Sequence, residues 1–309
     1  MDAHGEEIRE LQQRAGAAFE SGRLREAAQL YARLVELRPE REVFHYRLGL
    51  AHKYLRDWPR SLRCNLDALA LGKGHDEGAS WNAGIAASAL GDWAQARGQW
   101  FRCGIRVKPG NGPIEDDFGP IGLRLNPWSG GETVYAKRID PARARISNVP
   151  LPSSGHRYRD LVLHDGVQVG ERRYFEHKVP VFNELQRLEA SAFRTFTVFV
   201  SSESDDEIEA LQRAARPGVG LVEDWTPTLR QQCLRCSYDI AHKHHRHGAG
   251  GKEWNPDRSL GVAAQDEAAV ERLLKAWVAG DRLKRRLDAI ECREQAPPEP
   301  PADARAWWR

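Results

Sequence analysis

The 309-residue sequence predicts an α+β protein: an all-α solenoid of three helical hairpins, then an α+β domain with a Cys/His knuckle and C-terminal helices. Three observations carry this. First, Gly49 and Gly84 stand 35 residues apart, as do Asp57-Trp58 and Asp92-Trp93, and Arg23-Leu24 fills the same slot one period earlier. A step of 34–35 residues marks stacked helix-turn-helix units. Second, after Pro109 the helical spacing gives way to short β-branched and aromatic runs divided by turn residues. Third, cysteines and histidines crowd together between 233 and 247. The organisation read from these is helical hairpins over 8–109, a linker over 110–120, the α+β domain over 121–293 and a Pro-rich tail over 294–309.

Bulk properties narrow the function. The 46 basic side chains nearly balance 44 acidic ones, for a net charge of +2, which gives no global case for nucleic acid or an anionic membrane. No apolar run approaches the ~20 residues needed to cross a bilayer. Met1 to Arg9 lacks the apolar core of a signal peptide, so the chain reads as cytoplasmic. Cys64, Cys103, Cys233, Cys236 and Cys292 are too few and too scattered for a disulfide scaffold. Ten tryptophans supply large, stiff packing area, most of it expected in the core.

The hairpins repeat small residues where paired helices approach and large apolar ones three or four apart. The first unit runs Ala15, Ala18, Phe19, Gly22-Arg23-Leu24, Ala27, Tyr31, Leu34 and Pro39. The second runs Leu48-Gly49, His52, Arg56-Asp57-Trp58, Ser61, Asn65, Ala68 and Leu71. The third runs Ala83-Gly84, Ala87, Gly91-Asp92-Trp93, Ala96, Trp100, Cys103 and Pro109. These residues resemble the tetratricopeptide repeat, departing from it at Asn65, where an aromatic residue is usual, and at His52, where Tyr is usual. The resemblance implies a concave groove lined by the first helix of each hairpin. By position its partner-binding candidates are Arg9, Gln12, Tyr46, Lys53, Tyr54, Trp81 and Ser88. The competing reading packs some of them against the rest of the chain, because three repeats expose an apolar end that must be capped. The segment after Pro109 is the expected cap.

In the middle segment, 134–136, 158–164 and 195–200 read as strands, with turns at 152–155 and at Asp165-Gly166. Residues 204–215 read as a helix with Ser204 at its N-cap and Asp205, Asp206 and Glu207 in its first turn, before a short strand at Leu221-Val222. The segment has no Gly-rich phosphate loop and no Gly-x-Ser-x-Gly elbow. Its histidines (His156, His164, His177) and acids (Asp140, Asp160, Asp165, Glu171) form no set whose spacing requires them to meet. The chain therefore reads as a non-enzyme.

Cys233-Leu-Arg-Cys236 followed by His242, His244, His245 and His247 is a different matter. A Cys-x-x-Cys pair grips one ion from a single turn, and two thiolates with two imidazoles suit tetrahedral Zn²⁺. The expected ligands are Cys233, Cys236, His242 and either His244 or His245, a closed and structural set. A redox pair and a solvated, metal-free loop are the rival readings.

From 265 to 293, Val270, Leu273, Leu274, Trp277, Leu283, Leu287 and Ile290 recur at three- and four-residue spacing, which predicts one or two amphipathic helices with Gly280 as a break. The tail holds a Pro-rich run and then Trp307-Trp308, which can dock on this chain or on a partner.

Glu132 to Ile146, Val162 to Gly166, Val179 to Leu185 and the Cys/His pair resemble a domain of bacterial tetratricopeptide proteins, some of which look like immunity partners of secreted antibacterial toxins. The resemblance implies a cytoplasmic protein that binds a protein partner and neutralises a toxin by covering it. The alternative is a zinc-dependent enzyme or metal-regulated adaptor that uses the Cys/His cluster as an open site. A nucleic-acid adaptor using Arg235, Lys243, Arg246 and the basic group 284–286 is disfavoured by the balanced charge.

Overall fold

The computed structural model describes residues 3–72, 76–129, 131–214, 216–227, 254–303 and 306–308. It places three antiparallel helical pairs at the front: α1 (Ala3–Glu20) with α2 (Leu24–Leu37), α3 (Glu42–Tyr54) with α4 (Trp58–Leu71), and α5 (Glu77–Leu90) with α6 (Trp93–Arg102). The repeated Asp-Trp step is a helix start. Asp57 accepts a hydrogen bond from the Arg60 N–H at 3.2 Å and Asp92 one from the Gln95 N–H at 3.1 Å, so each carboxylate satisfies a donor that the first turn leaves open. Arg23, in the equivalent slot, makes no side-chain cap.

The repeated glycine marks where the helices of a pair touch. A Cβ on Gly49 would stand 2.6 Å from Asn65 Nδ2, and one on Gly84 would stand 2.6 Å from the Trp100 ring. Asn65 departs from the aromatic pattern without leaving its amide nitrogen bare: Nδ2 donates to the Ser61 carbonyl at 2.8 Å, and Ser61 Oγ donates to the Gly49 carbonyl at 2.9 Å. The hairpins are thus tetratricopeptide-like in structure as well as in period.

Five strands follow: β1 (Pro120–Arg124), β2 (Thr133–Arg138), β3 (Arg143–Ile146), β4 (Leu161–Tyr174) and β5 (His177–Glu189). They close into a barrel in that order, with β1 lying parallel to β5 and Gly122 opposite Val181. Closure leaves no sheet edge to template further pairing. Gly122 is needed at the seam, since a Cβ there would come within 2.8 Å of Val181 Cγ2. Residues read as a linker lie along the barrel: Ile114 is buried, and the Asp116 and Phe118 N–H groups donate to the Ile139 and Arg138 carbonyls at 2.8 and 3.2 Å. Asp165-Gly166, expected to turn the chain, lies inside β4, which continues to Tyr174. Strand pairing overrides the local turn preference of Asp-Gly here, and the Asp165 carboxylate finds partners other than its own loop.

A second sheet orders β6 (Arg194–Ser202), β7 (Val219–Asp224), β8 (Asp257–Ala264) and β9 (Arg285–Glu291) as β7-β8-β6-β9, all antiparallel. Helices α7 (Asp205–Arg213) and α8 (Glu267–Gly280) pack on one face through Ile208, Leu211, Val270, Leu273 and Leu274. The helix at 205–213 and the strand after Gly218 fall where the sequence puts them, although the Ser204 side chain makes no cap bond. The C-terminal helices need correction. One forms and ends at Gly280, but 285–291 is a strand. Leu287 and Ile290 imitate helical spacing because the β6–β9 register slips between Phe199 and Val200, a bulge that brings both onto the helix-covered face.

The chain divides into two compact units. One comprises residues 1–145, 161–188 and 299–309, and the other 146–160 and 189–298. The first thus unites the hairpins, nearly all of the barrel and the end of the tail around one core that includes Phe19, Leu34, Trp100, Leu163, Leu185, Trp307 and Trp308. The cluster Cys233, Cys236, His242, His244 and His245 lies outside the described residues. Among the described residues, no helix is long and apolar enough to cross a membrane.

Candidate protein-binding groove

Within the first unit, the first helices of the second and third hairpins, α3 and α5, face the opening stretch of β4. Lys53, near the end of α3, carries its charge into the interior and meets Asp165 there, Nζ to Oδ1 at 2.9 Å. The Tyr54 hydroxyl donates to Asp165 Oδ2 at 2.9 Å, and the Gly166 N–H donates to Oδ1 at 2.7 Å. Burial pushes the Asp165 carboxyl up, but the Lys53 charge and these three donors together outweigh it and hold the group below its ordinary value. Burial, reinforced by the same carboxylate, raises the Tyr54 hydroxyl well above its usual range. His164 beside it is buried and its pKa is lowered to about 4, chiefly by burial; its Nδ1 bonds to the Asp165 carbonyl at 2.8 Å and its ring stacks on Phe182.

This knot floors a cavity of about 490 Å³ lined by Tyr46, Leu50, Trp81, Asn82, Glu77 and Val167. Trp81 reaches it because residue 166 is glycine: any Cβ there would overlap the indole. On its far side Trp81 meets Trp100 edge-on at 5.3 Å. With the floor charges paired, the cavity offers a partner two aromatic groups, two aliphatic side chains, an amide and the exposed Glu77.

The other half of the groove is filled by the chain itself. Trp308 stacks on Tyr54 at 4.4 Å with 12° between the rings and meets Phe19 at 5.2 Å. Trp307 stands edge-on to Tyr54 at 5.5 Å and to Trp128 at 5.1 Å. Asn183 Nδ2 on β5 donates to the Trp308 carbonyl at 3.2 Å. Ahead of the indoles, Asp303 pairs with Arg25 at 3.3 Å, and the Leu24 N–H donates to the Ala302 carbonyl at 3.3 Å.

Four of the seven groove candidates, Tyr46, Lys53, Tyr54 and Trp81, converge on the one cavity. Lys53 and Tyr54 are buried in it as floor. Gln12 lines a separate 210 Å³ hollow with Phe19, Val43 and Arg47. Arg9 is exposed on α1, and Ser88 is buried in α5. The groups that organise the site but were not assigned to it are Asp165, Trp128 and the two terminal indoles. Asp165 carried a signal: an acid two residues after the apolar run 161–163 needs a buried partner once the strand continues.

Several middle-segment acids and histidines have partners within the fold. Asp140 pairs with Arg143 at 2.5 Å, Glu171 with Lys178 at 3.0 Å, and His156 lies 3.6 Å from Asp160. Among the described residues no group of three or more His, Cys, Asp or Glu is placed to hold a metal ion.

No family model matches the sequence, and no curated protein matches it. Similar solved structures include the TPR2B domain of yeast Sti1 in its pHsp70 complex, at 16% identity over 31% of this chain and 76% of that one, TM-score 0.30. The TPR domain of Arabidopsis OM64 is 15% identical over 33% of this chain and 83% of that one, TM-score 0.31. The first TPR of Spaghetti (RPAP3), bound to the HSP90 peptide SRMEEVD, is 21% identical over 31% and 75%, TM-score 0.30. At these values the likeness carries no argument about a partner.

Proposed function

We propose that this chain is a protein-binding repeat protein that works by covering its partner and performs no chemistry of its own. The observation that supports this most is the groove's present content. Helices α1–α3 and strand β5 hold a segment of polypeptide by stacking its side chains and bonding its backbone, the way a peptide ligand is held. Beside it lies an unfilled cavity with Tyr46 and Trp81 on its walls, residue types that anchor interfaces. The partner proposed is a secreted antibacterial toxin, blocked in the cytoplasm by occlusion, which makes the protein an immunity protein. In the same proposal Cys233, Cys236, His242 and His244 or His245 hold one structural Zn²⁺.

Co-expression with the product of the neighbouring gene tests the function. A stable complex and rescued growth are expected; no complex and no rescue would contradict it. Elemental analysis of untagged protein tests the metal, with about one zinc per chain expected and a stoichiometry near zero contradicting it.

A further inference from the structure

The resident segment is also a template for what the groove selects. Its contacts are unevenly distributed. The ion pairs of the segment sit largely in solvent, with the Arg25 and Asp303 side chains 70% and 44% exposed and Glu299, paired with Arg56, 81% exposed, while its one buried side-chain bond in the described residues is from Asn183 to the Trp308 carbonyl. Ion pairs this open hold a segment weakly. At the start of α2 the Leu24 N–H donates to the Ala302 carbonyl, Arg23 forms an isolated β-bridge with Asp303, and the Arg25 N–H donates to Asp303 Oδ1 at 3.4 Å. Burial is concentrated in Trp307 and Trp308, inside an aromatic cage of Phe19, Tyr54 and Trp128. Two buried aromatic anchors inside a more exposed polar rim is the pattern by which one polypeptide binds another.

The fit of the resident is also incomplete. The Trp307 indole N–H is buried with no hydrogen-bond partner among the described residues. The run Pro297-Pro298-Glu299-Pro300-Pro301 ahead of it favours an extended form without internal hydrogen bonds, so release of the segment leaves no helix or strand to unfold. Tyr54 carries the Trp308 stack and also lines the open cavity, which gives an arriving segment a foothold beside the resident one.

We propose that the groove selects partner segments presenting two adjacent aromatic side chains four residues after an acidic one, and that such a segment enters by displacing the chain's own Asp303-to-Trp308 stretch. The aromatic pair fills the cage, and the acid faces Arg25. This deepens the protein-binding reading, and it fails separately: a partner captured through another surface would leave the binding function standing and this selection rule refuted.

The probe is a fluorescein-labelled peptide of the sequence EPPADARAWWR, titrated against the full chain. The Trp307→Ala/Trp308→Ala variant, folded by circular dichroism, should bind it at least ~10-fold more tightly than the wild type, whose groove is occupied. Replacing both tryptophans of the peptide by alanine should abolish binding, and replacing its aspartate by lysine should weaken binding several-fold at low salt. Equal binding by wild type and variant, or by the tryptophan-free peptide, overturns the proposal. A second arm keeps the native sequence. With a protease site placed after Pro298, the cleaved segment should exchange with labelled peptide while the protein stays folded. A cleaved segment that never exchanges, or a chain that unfolds on cleavage, also overturns it.

Discussion

Lys53 Nζ and Asp165 Oδ1 lie 2.9 Å apart, with side chains 2% and 3% exposed, and join a repeat helix to a barrel strand 112 residues later. Neither charge has water to fall back on. Removing one partner should therefore cost more than the pair contributes net. Asp165→Ala is expected to lower unfolding free energy by about 3–5 kcal/mol in urea titration. The double change Lys53→Met with Asp165→Leu should recover most of that loss. A double variant as unstable as the single one would show that the pair matters through shape and not through charge.

The histidine next to that pair sets a pH dependence. His164 is held neutral down to about pH 4, whereas in the unfolded chain it takes a proton near its ordinary value of ~6.5. The stability due to its neutral form is complete above ~6.5 and is lost as pH falls toward 4, by roughly 3 kcal/mol. Asp165, depressed in the fold, adds a further loss as pH drops below its ordinary ~4. Denaturation between pH 7 and 4 should show the slope, and His164→Leu should flatten it.

Glycines in the hairpins should respond in opposite directions. Gly84→Ala places a methyl 2.6 Å from Trp100 and is expected to destabilise by about 1–3 kcal/mol despite its better helix propensity. Gly16 and Gly98 also sit inside helices, but nothing lies within 4 Å of a Cβ at either. Alanine at those two should stabilise by about 0.5–1 kcal/mol each. Thermal melts of the three single variants decide it.

Arg143 makes a bidentate demand. Its Nε donates to Asp140 Oδ2 at 2.5 Å and its Nη2 to the Ile114 carbonyl at 2.6 Å, while the guanidinium lies 4.3 Å from the centre of the Trp93 ring. Lysine keeps the charge but cannot supply the planar fork. Arg143→Lys should cost about 2–3 kcal/mol, within the range for broken charged hydrogen bonds, measured by the same titration.

What the sequence made legible was local and periodic. The Gly49/Gly84 contacts recur at one step, so the close helix approach could be read before the helices were seen, whereas the capping role of Asp57 and Asp92 at the same period came only with the structure. The acidic first turn after Ser204 announced α7, although the Ser204 side chain makes no cap bond. What stayed hidden depends on partners far along the chain. Asp165-Gly166 has the chemistry of a turn, and only pairing into the barrel and the Lys53 charge make it strand. Leu287 and Ile290 have helical spacing because a bulge inserts one residue into β9. Trp307-Trp308 gave no sign of which aromatic cage would receive them, since Phe19, Tyr54 and Trp128 share no motif. That Tyr46, Tyr54 and Trp81 line one cavity follows from the repeat, which fixes the helix face they share.

In the proposed function, the groove over α3 and α5 is the surface that meets a partner. Amide hydrogen exchange of the free chain against its complex with the neighbouring gene product tests it most directly. New protection is expected along α3, α5 and the opening of β4, together with altered exchange at Trp307 and Trp308. Protection confined to the β6–β9 sheet, with α3 and α5 unchanged, would contradict it.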